Sequence, residues 1–268
     1  MIRPIVTAAL LLSIACASAQ TPRKIQALII TGQDAHPWRE ISPYLKSLLE
    51  DSGRFEVRVA EEFRGATIDS LSPYDVAVLV YSDEKLKVPS WSETTRQALL
   101  KFVGSGKGLV VWHHSAASFQ DWDEFEKLCG CVWRTADSHH SPVHDYQVDI
   151  RDADHPVTRG MKSFMAKTDE LYAGLRCQPP GTFHVLATGW DDHTLYANKP
   201  NGKIPPGSSQ DEPLIWTVPY GSGRVFATML GNDMRATRTP GFVATFTRGA
   251  EWAATGEVTI PLAAELRK

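Results

Sequence analysis

The 268-residue chain holds only four cysteines, at positions 16, 129, 131 and 177, far too few for a disulfide-built scaffold. Stability must therefore come from an apolar core, and a chain of this length that is 43 % hydrophobic can bury one. No apolar run reaches the roughly 20 residues of a membrane helix, which excludes a membrane span. Blocks of like charge are also missing and the formal net charge is -3, so no basic surface awaits nucleic acid. The chain has no G-x-x-x-x-G-K-[ST] phosphate loop and no G-x-S-x-G elbow. Where a dinucleotide fingerprint would follow the first apolar run, "TGQDAHPW" stands instead, so no nucleotide cofactor is expected. Gly104, Gly106 and Gly108 follow a helical pattern and precede a strand pattern, the wrong order for cradling a phosphate.

At the N-terminus, Arg3, an apolar run from Val6 to Cys16 and the small residues Ala17-Ser18-Ala19 read as an export signal over residues 1–19. The expectation is a periplasmic or secreted protein beginning at Gln20. Cys129, Cys131 and Cys177 then remain, an odd number with an awkward two-residue spacing, and they read as small buried residues.

Short apolar runs at Ile25–Thr31, Val76–Tyr81 and Leu109–Trp112 fit central parallel strands covered on both faces. Between them lie helical patterns, one capped by Ser42-Pro43 and running to Gly53, another opened by Ser90 with Glu93 and stopped at Gly104. "FEVRVAEE" supplies a further strand, so the first half reads β-α-β-β-α-β. The second half is richer in strands: "HDYQVDI", "FHVLATG", "EPLIWTVPY" and, after the Gly221-Ser222-Gly223 turn, "RVFATMLG". Thr239-Pro240 opens a last helix, and residues 198–212 read as an exposed loop. The fold class expected is α/β: an open, mostly parallel sheet with helices on both faces and extra β-strands in the second half.

Ligands of such sheets sit beyond the carboxyl ends of the strands. Asp34 and His36 follow the first strand there, Ser82-Asp83 the third, and His113-His114 the fourth. Adjacent residues on a strand point to opposite faces, so one of the two imidazoles is expected in the cleft and the other against the core. "DSHHSPVHDY" offers His139, His140 and His144 on a loop, and with His113 these are the candidates to hold a divalent metal ion. "TDELY" brings Asp169, Glu170 and Tyr172 together, with either acid able to serve as general base and the tyrosine as a hydroxyl-orienting group. "LGNDMR" carries Asn232 and Asp233 to the same edge.

Taken in order, "LIITGQDAHPW", "GKGLVVWHHSAASFQDWDEFEKLCG", "DADHPVTRGM", "TDELY" and "PLIWTVPYGSGRVFATMLGND" resemble the ThuA-like, or trehalose-utilisation, family over residues 24–256, leaving 257–268 as a tail. The resemblance implies a flavodoxin-like sheet of the class I glutamine amidotransferase kind. His113 or His114 would stand at the turn where amidotransferases carry a nucleophilic cysteine, which disfavours glutamine hydrolysis. It also implies a role in carbohydrate metabolism with a sugar or glycoside as partner. The expected activity is hydrolysis or related acid/base chemistry, with His113 and Asp169 or Glu170 as the acid/base groups. Asp34, His36, His114, His140, Asn232 and Asp233 would then contact substrate, and Trp38, Phe119 and Trp190 offer stacking surfaces. Many relatives read Gly-His where this chain has Gly231-Asn232, and an asparagine cannot titrate. The competing expectation is a non-catalytic sugar- or metal-binding module.

Overall fold

The computed structural model describes residues 23–86, 91–196 and 207–268. The expected signal over 1–19, Ser90 and most of the expected 198–212 loop lie outside them. In the first half, β1 (Ile25–Ile30), α1 (Trp38–Asp51), β2 (Phe55–Ala60), α2 (Ile68–Leu71), β3 (Val76–Leu79), α3 (Glu93–Gly104) and β4 (Gly108–Trp112) follow one another. A 3-10 turn, His113–Ala117, leads to α4 (Asp123–Cys129). Then come β5 (Cys131–Val132), β6 (His139–His140), β7 (His144–Ile150), β8 (Phe164–Asp169), β9 (Tyr172–Ala173), β10 (Arg176–Cys177), β11 (His184–Trp190), β12 (Asp211–Tyr220), β13 (Gly223–Thr228) and α5 (Pro240–Thr255).

One nine-stranded sheet runs in the order β2-β1-β3-β4-β13-β12-β11-β7-β8. Its first five strands are mutually parallel, the flavodoxin-like order with β13 as the fifth, and the rest extend it antiparallel. Every residue of β3 and β4 is buried, as their unbroken apolar sequence requires. Edge strand β2 instead alternates, burying Phe55 and Val57 while Glu56 and Arg58 face water. The crossovers from β1 to β2 and from β3 to β4 run in opposite directions along the sheet, so the right-handed connection general to such units sets α1 and α3 on opposite faces, and α5 contacts α1, β4 and β13. The β12–β13 hairpin packs closely on the end of α3 because position 223 is glycine: a Cβ there would stand 2.0 Å from the Val103 carbonyl oxygen.

Several expectations need correction. Helix α1 begins at Trp38, and Ser42 is no cap; its hydroxyl donates to Thr31 Oγ1 at 2.8 Å, tying the helix to the end of β1, while Pro43 sits inside the helix. The cap of α3 is Ser92, whose hydroxyl accepts from the Thr95 amide at 3.2 Å. "TDELY" is not a solvated loop: Asp169 ends β8 and Tyr172 opens β9, both buried. Cys131 and Cys177 are joined in a disulfide, because pairing of β5 with β10 sets two residues 46 apart opposite each other. Cys129 alone among the described cysteines is a free, buried thiol. Residues 257–268 pack on the domain: Glu251 accepts from the Thr259 hydroxyl and the Ile260 amide, and Leu262 and Leu266 are buried. No helix among the described residues is long and apolar enough to cross a membrane.

Candidate functional site

The parallel register sets Ile30 beside Leu79 and Leu79 beside Val111, so the chain leaves β1, β3 and β4 at one edge of the sheet. Three loops therefore emerge together at the crevice where open α/β sheets bind their ligands. The loop after β4 is sharply bent: His113 has φ 42°, a left-handed conformation that costs a non-glycine residue energy. Ser115 pins this turn to the neighbouring loop, its hydroxyl donating to Leu79 O at 2.7 Å and accepting the Tyr81 amide at 3.0 Å. Because the chain has already left the strand, alternation no longer separates the two imidazoles. Both enter the cluster, with the His36 ring centroid 4.8 Å from His113 and 4.7 Å from His114.

Each ring is held by an oxygen. His113 Nδ1 lies 2.7 Å from Met229 O, and a carbonyl only accepts, so Nδ1 carries the proton and Nε2 presents its lone pair. His113 Nε2 is buried with no hydrogen-bond partner among the described residues. His36 and His114 both donate from Nδ1 to Asp34 Oδ1, at 3.3 and 2.8 Å, and the His36 amide donates to the same oxygen at 2.8 Å. Glu170 faces this group from the far side: its Oε2 is 3.8 Å from His36 Nε2 and 4.0 Å from His113 Nε2. His36, His113 and Glu170 offer ligand atoms within 4.8 Å of one another, and Asp34, His36 and His114 form a second such group. Ligands about 2.1 Å from one ion stand at most about 4.2 Å apart, a spacing the Glu170 contacts already meet.

Electrostatics divide the imidazoles. Burial drives the His113 pKa well below its ordinary value, helped by the charge on His36, so it stays neutral. Burial also opposes charge on His36, but Asp34 and Glu170 outweigh it and raise that pKa to about 9. The Asp34 carboxyl, although burial would raise it, is held well below the usual range by His114 and His36. Glu170 is likewise brought to about 2 against burial, chiefly by His36, His140 and His113. Three carboxylates, Asp34, Glu84 and Glu170, surround this small set of rings and favour a cation among them.

The buried Asp169 carboxyl is taken up by backbone amides. Its oxygens accept the amides of Gly231 at 2.7 Å and of Asn232 and Glu170 at 2.9 Å, so it anchors the loop after β13. Burial pushes its carboxyl up to about 6 against those three amides. The Tyr172 ring packs 4.3 Å from His113, and His140, at 40 % side-chain exposure, stands at the mouth with Nδ1 3.7 Å from Glu170 Oε1.

Other sequence candidates lie elsewhere. His139 pairs with Asp191 at 3.3 Å, and His144 bonds to Pro142 O and the Ser141 hydroxyl, so neither joins a metal-competent group. Asp233 caps its own turn, accepting from the Arg235 and Ala236 amides. Phe119 and Trp38 are buried packing residues, Phe119 among Tyr81, Trp91, Trp122 and Phe125, which removes them as exposed stacking faces. Trp190 is 54 % exposed at the end of β11. Two contributors went unread in the sequence. Glu84, one residue past Ser82-Asp83, reaches within 3.5 Å of His114 Nε2. Trp133, following β5, lies 4.7 Å from Tyr172 and buries an indole N–H without a partner among the described residues.

The trehalose-utilisation (ThuA) family profile matches residues 26–253. Among solved structures, a ThuA-like protein from Parabacteroides merdae aligns with a TM-score of 0.78 at 32 % identity, over 92 % of this chain and 95 % of that one. A ThuA-like protein from Bacteroides uniformis gives 0.68 at 18 % identity, over 90 % and 96 %. A cytoplasmic protein from Salmonella typhimurium shares the fold at 13 % identity, with a TM-score of 0.57 over 85 % and 98 %. A search of curated proteins found no match. The profile spans nearly all of the folded unit, and with the amidotransferase-like sheet and the Parabacteroides relative in agreement, this chain belongs to the ThuA, or trehalose-utilisation, family.

Proposed function

We propose that the protein is an exported, metal-dependent enzyme of carbohydrate metabolism that acts on a glycoside or keto-sugar. What carries the reading is the convergence of His36 Nε2, His113 Nε2 and a Glu170 oxygen, with the Nδ1 of each imidazole already held by an oxygen. Two oriented imidazoles and one carboxylate are the donor set of divalent-metal sites that keep open positions for substrate; an ion bound there would displace the His36 Nε2 proton that Asp34 and Glu170 otherwise stabilise, and Asp34 behind His36 is the usual outer partner. A divalent ion bound there would act as a Lewis acid toward a sugar carbonyl or hydroxyl.

The protein groups have separate tasks in this reading. His113, neutral through burial, donates a lone pair and moves no proton. Glu170 is ionised and links the histidines to His140, the part-exposed ring at the mouth. Glutamine hydrolysis is disfavoured, since the turn after β4 carries no thiol, Cys131 is in the disulfide, and burial pushes the Cys129 thiol far up. Export is supported by the signal-like N-terminus and by the disulfide, which persists in oxidising compartments.

The test combines metal analysis of the purified protein with incubation on 3-keto-glycosides and plain disaccharides. Wild type is expected to retain metal and turn over one of these classes, whereas His113→Ala and Glu170→Gln lose both while keeping their circular dichroism. Wild-type turnover in His113→Ala would remove it from the chemistry. A non-catalytic binding module is favoured by one observation, Asn232 in place of a titratable residue. Sugar binding without product under metal-replete conditions would select that alternative.

A further inference from the structure

A sugar ring has apolar C–H faces and polar edges, and a site that holds a small molecule sets an aromatic surface beside a few hydrogen-bonding groups. Trp38 and Phe119 are sealed in packing and supply no such surface. Trp133, which follows β5, is only half-buried. Its ring stands outside the rings of the histidine cluster: its centroid is 4.7 Å from that of Tyr172, which packs 4.3 Å from His113, and 6.0 Å from that of His140. The indole nitrogen is buried, so the part of the side chain that meets solvent is ring carbon. The ring is also held in place from its backbone. Its amide donates to Ala116 O at 3.0 Å, in the turn that begins at His113, and its carbonyl accepts from Gln120 Nε2 at 3.0 Å. Two residues earlier Cys131 is tied to Cys177. A surface fixed in this way loses little freedom when a ligand settles on it.

The groups beside Trp133 narrow the ligand. The Trp133 and His140 planes are inclined by 34°, and a centroid separation of 6.0 Å is already ring contact, so the pair forms a shelf rather than a slot. His140 donates from Nδ1 to Ser141 O at 2.8 Å, which leaves Nε2 to accept from a hydroxyl, and the Glu170 carboxylate, 3.7 Å from the same ring, accepts a second. A flat aromatic molecule would cover the ring carbon and give these acceptors nothing. An open-chain polyol would meet the acceptors and has no closed face to lay on carbon. A pyranose does both.

We propose that Trp133 is the platform on which the sugar ring of the substrate stacks, and that it sets a preference for closed pyranose rings at the mouth of the His36–His113–Glu170 centre. The proposal rests on the carbohydrate reading above and does not depend on a bound metal. Glucose and 3-keto-glucose are titrated by calorimetry into the purified protein and into Trp133→Ala, Trp133→Leu and Trp133→Phe, with sorbitol and phenol as competitors and with metal content and circular dichroism measured on each sample. One of the two sugars is expected to bind wild type saturably, with no competition from sorbitol or phenol. Affinity should fall about tenfold in the variants without a ring and stay within about threefold in Trp133→Phe, while every variant holds as much metal as wild type. Trp133→Leu keeps apolar bulk and decides the matter should Trp133→Ala fail to fold. Absence of sugar binding to wild type, unchanged affinity in the folded ring-less variants, or equal competition by sorbitol or phenol would overturn the platform. Loss of metal together with sugar in those variants would overturn it too, by making the ring a support of the centre. Wild-type protein that holds no metal would sink the catalytic reading and leave these sugar titrations to decide the platform.

Discussion

Replacing Asp34 by asparagine isolates the orienting role of one buried carboxylate. The side chain is fully buried, and its Oδ1 accepts from the His36 amide at 2.8 Å, His36 Nδ1 at 3.3 Å and His114 Nδ1 at 2.8 Å. The amide side chain would keep the shape and one accepting oxygen but lose the charge, and hydrogen bonds to ionised groups are about twice as strong as neutral ones. For the bond that aims His36 Nε2 at Glu170, the loss is roughly 1–1.5 kcal/mol, or about tenfold in affinity. Freed rotation of the ring adds to this, and outer partners of metal-bound histidines are generally worth 10–100-fold. Asp34→Asn is therefore expected to weaken metal binding by about 10–100-fold. Titrations with zinc, manganese and ferrous iron, read by equilibrium dialysis on protein shown to be folded, measure it. Trp190→Ala, at an exposed position, serves as the control. Affinity in Asp34→Asn within twofold of wild type would refute the assignment of His36 as an oriented ligand.

Two further outcomes test the frame around the site. Asp191 accepts from the Tyr196 hydroxyl and the Ser208 amide, both at 2.6 Å, and from His139; although burial opposes it, these contacts take its carboxyl from 3.8 to about 2. A depressed acid stabilises the fold above its unfolded pKa, so up to about 2 kcal/mol should be lost as pH falls from about 4 to 2, and Asp191→Asn should flatten that part of the acid-denaturation curve. An unchanged curve would remove the carboxylate from the account. Removing the Cys131–Cys177 bridge with a double serine variant should cost about 4 kcal/mol by the loop-entropy relation for this 46-residue separation, read by urea denaturation. Thiol titration of denatured, unreduced protein expressed from Gln20, without Cys16, should find one reactive group, Cys129; three would show the bridge unformed.

The parallel half was legible because its strands are buried on both faces and spell this out as unbroken apolar runs, as in β3 and β4. The edge that carries the site followed from the same pattern, since Asp34, His36 and His113 stand directly after such runs. What could not be read depended on partners distant in sequence. The disulfide exists only because β5 and β10 pair, and the Asp169 carboxyl is occupied by amides more than 60 residues later. Strand alternation, which put only one of the two imidazoles in the cleft, does not apply because the turn at His113 takes a left-handed φ, which nothing short of the fold imposes on a histidine. Phe119 and Trp38 show that an aromatic beside a cleft motif is spent on packing as readily as on ligand contact.

The fifth parallel strand arrives late. β4 ends at residue 112, but its second neighbour β13 begins only at 223, and the carbonyl that fixes the His113 tautomer follows at Met229. Until that stretch joins, β4 presents an open, wholly apolar edge, a hazard for aggregation in a half-made chain. Closing the sheet and setting the histidine are thus a single late event of folding with high contact order, expected to be slow. A fragment truncated before residue 223 would lack both the strand that completes the centre of the sheet and the oxygen that aims the imidazole. Competence at the site is thereby coupled to completion of the fold.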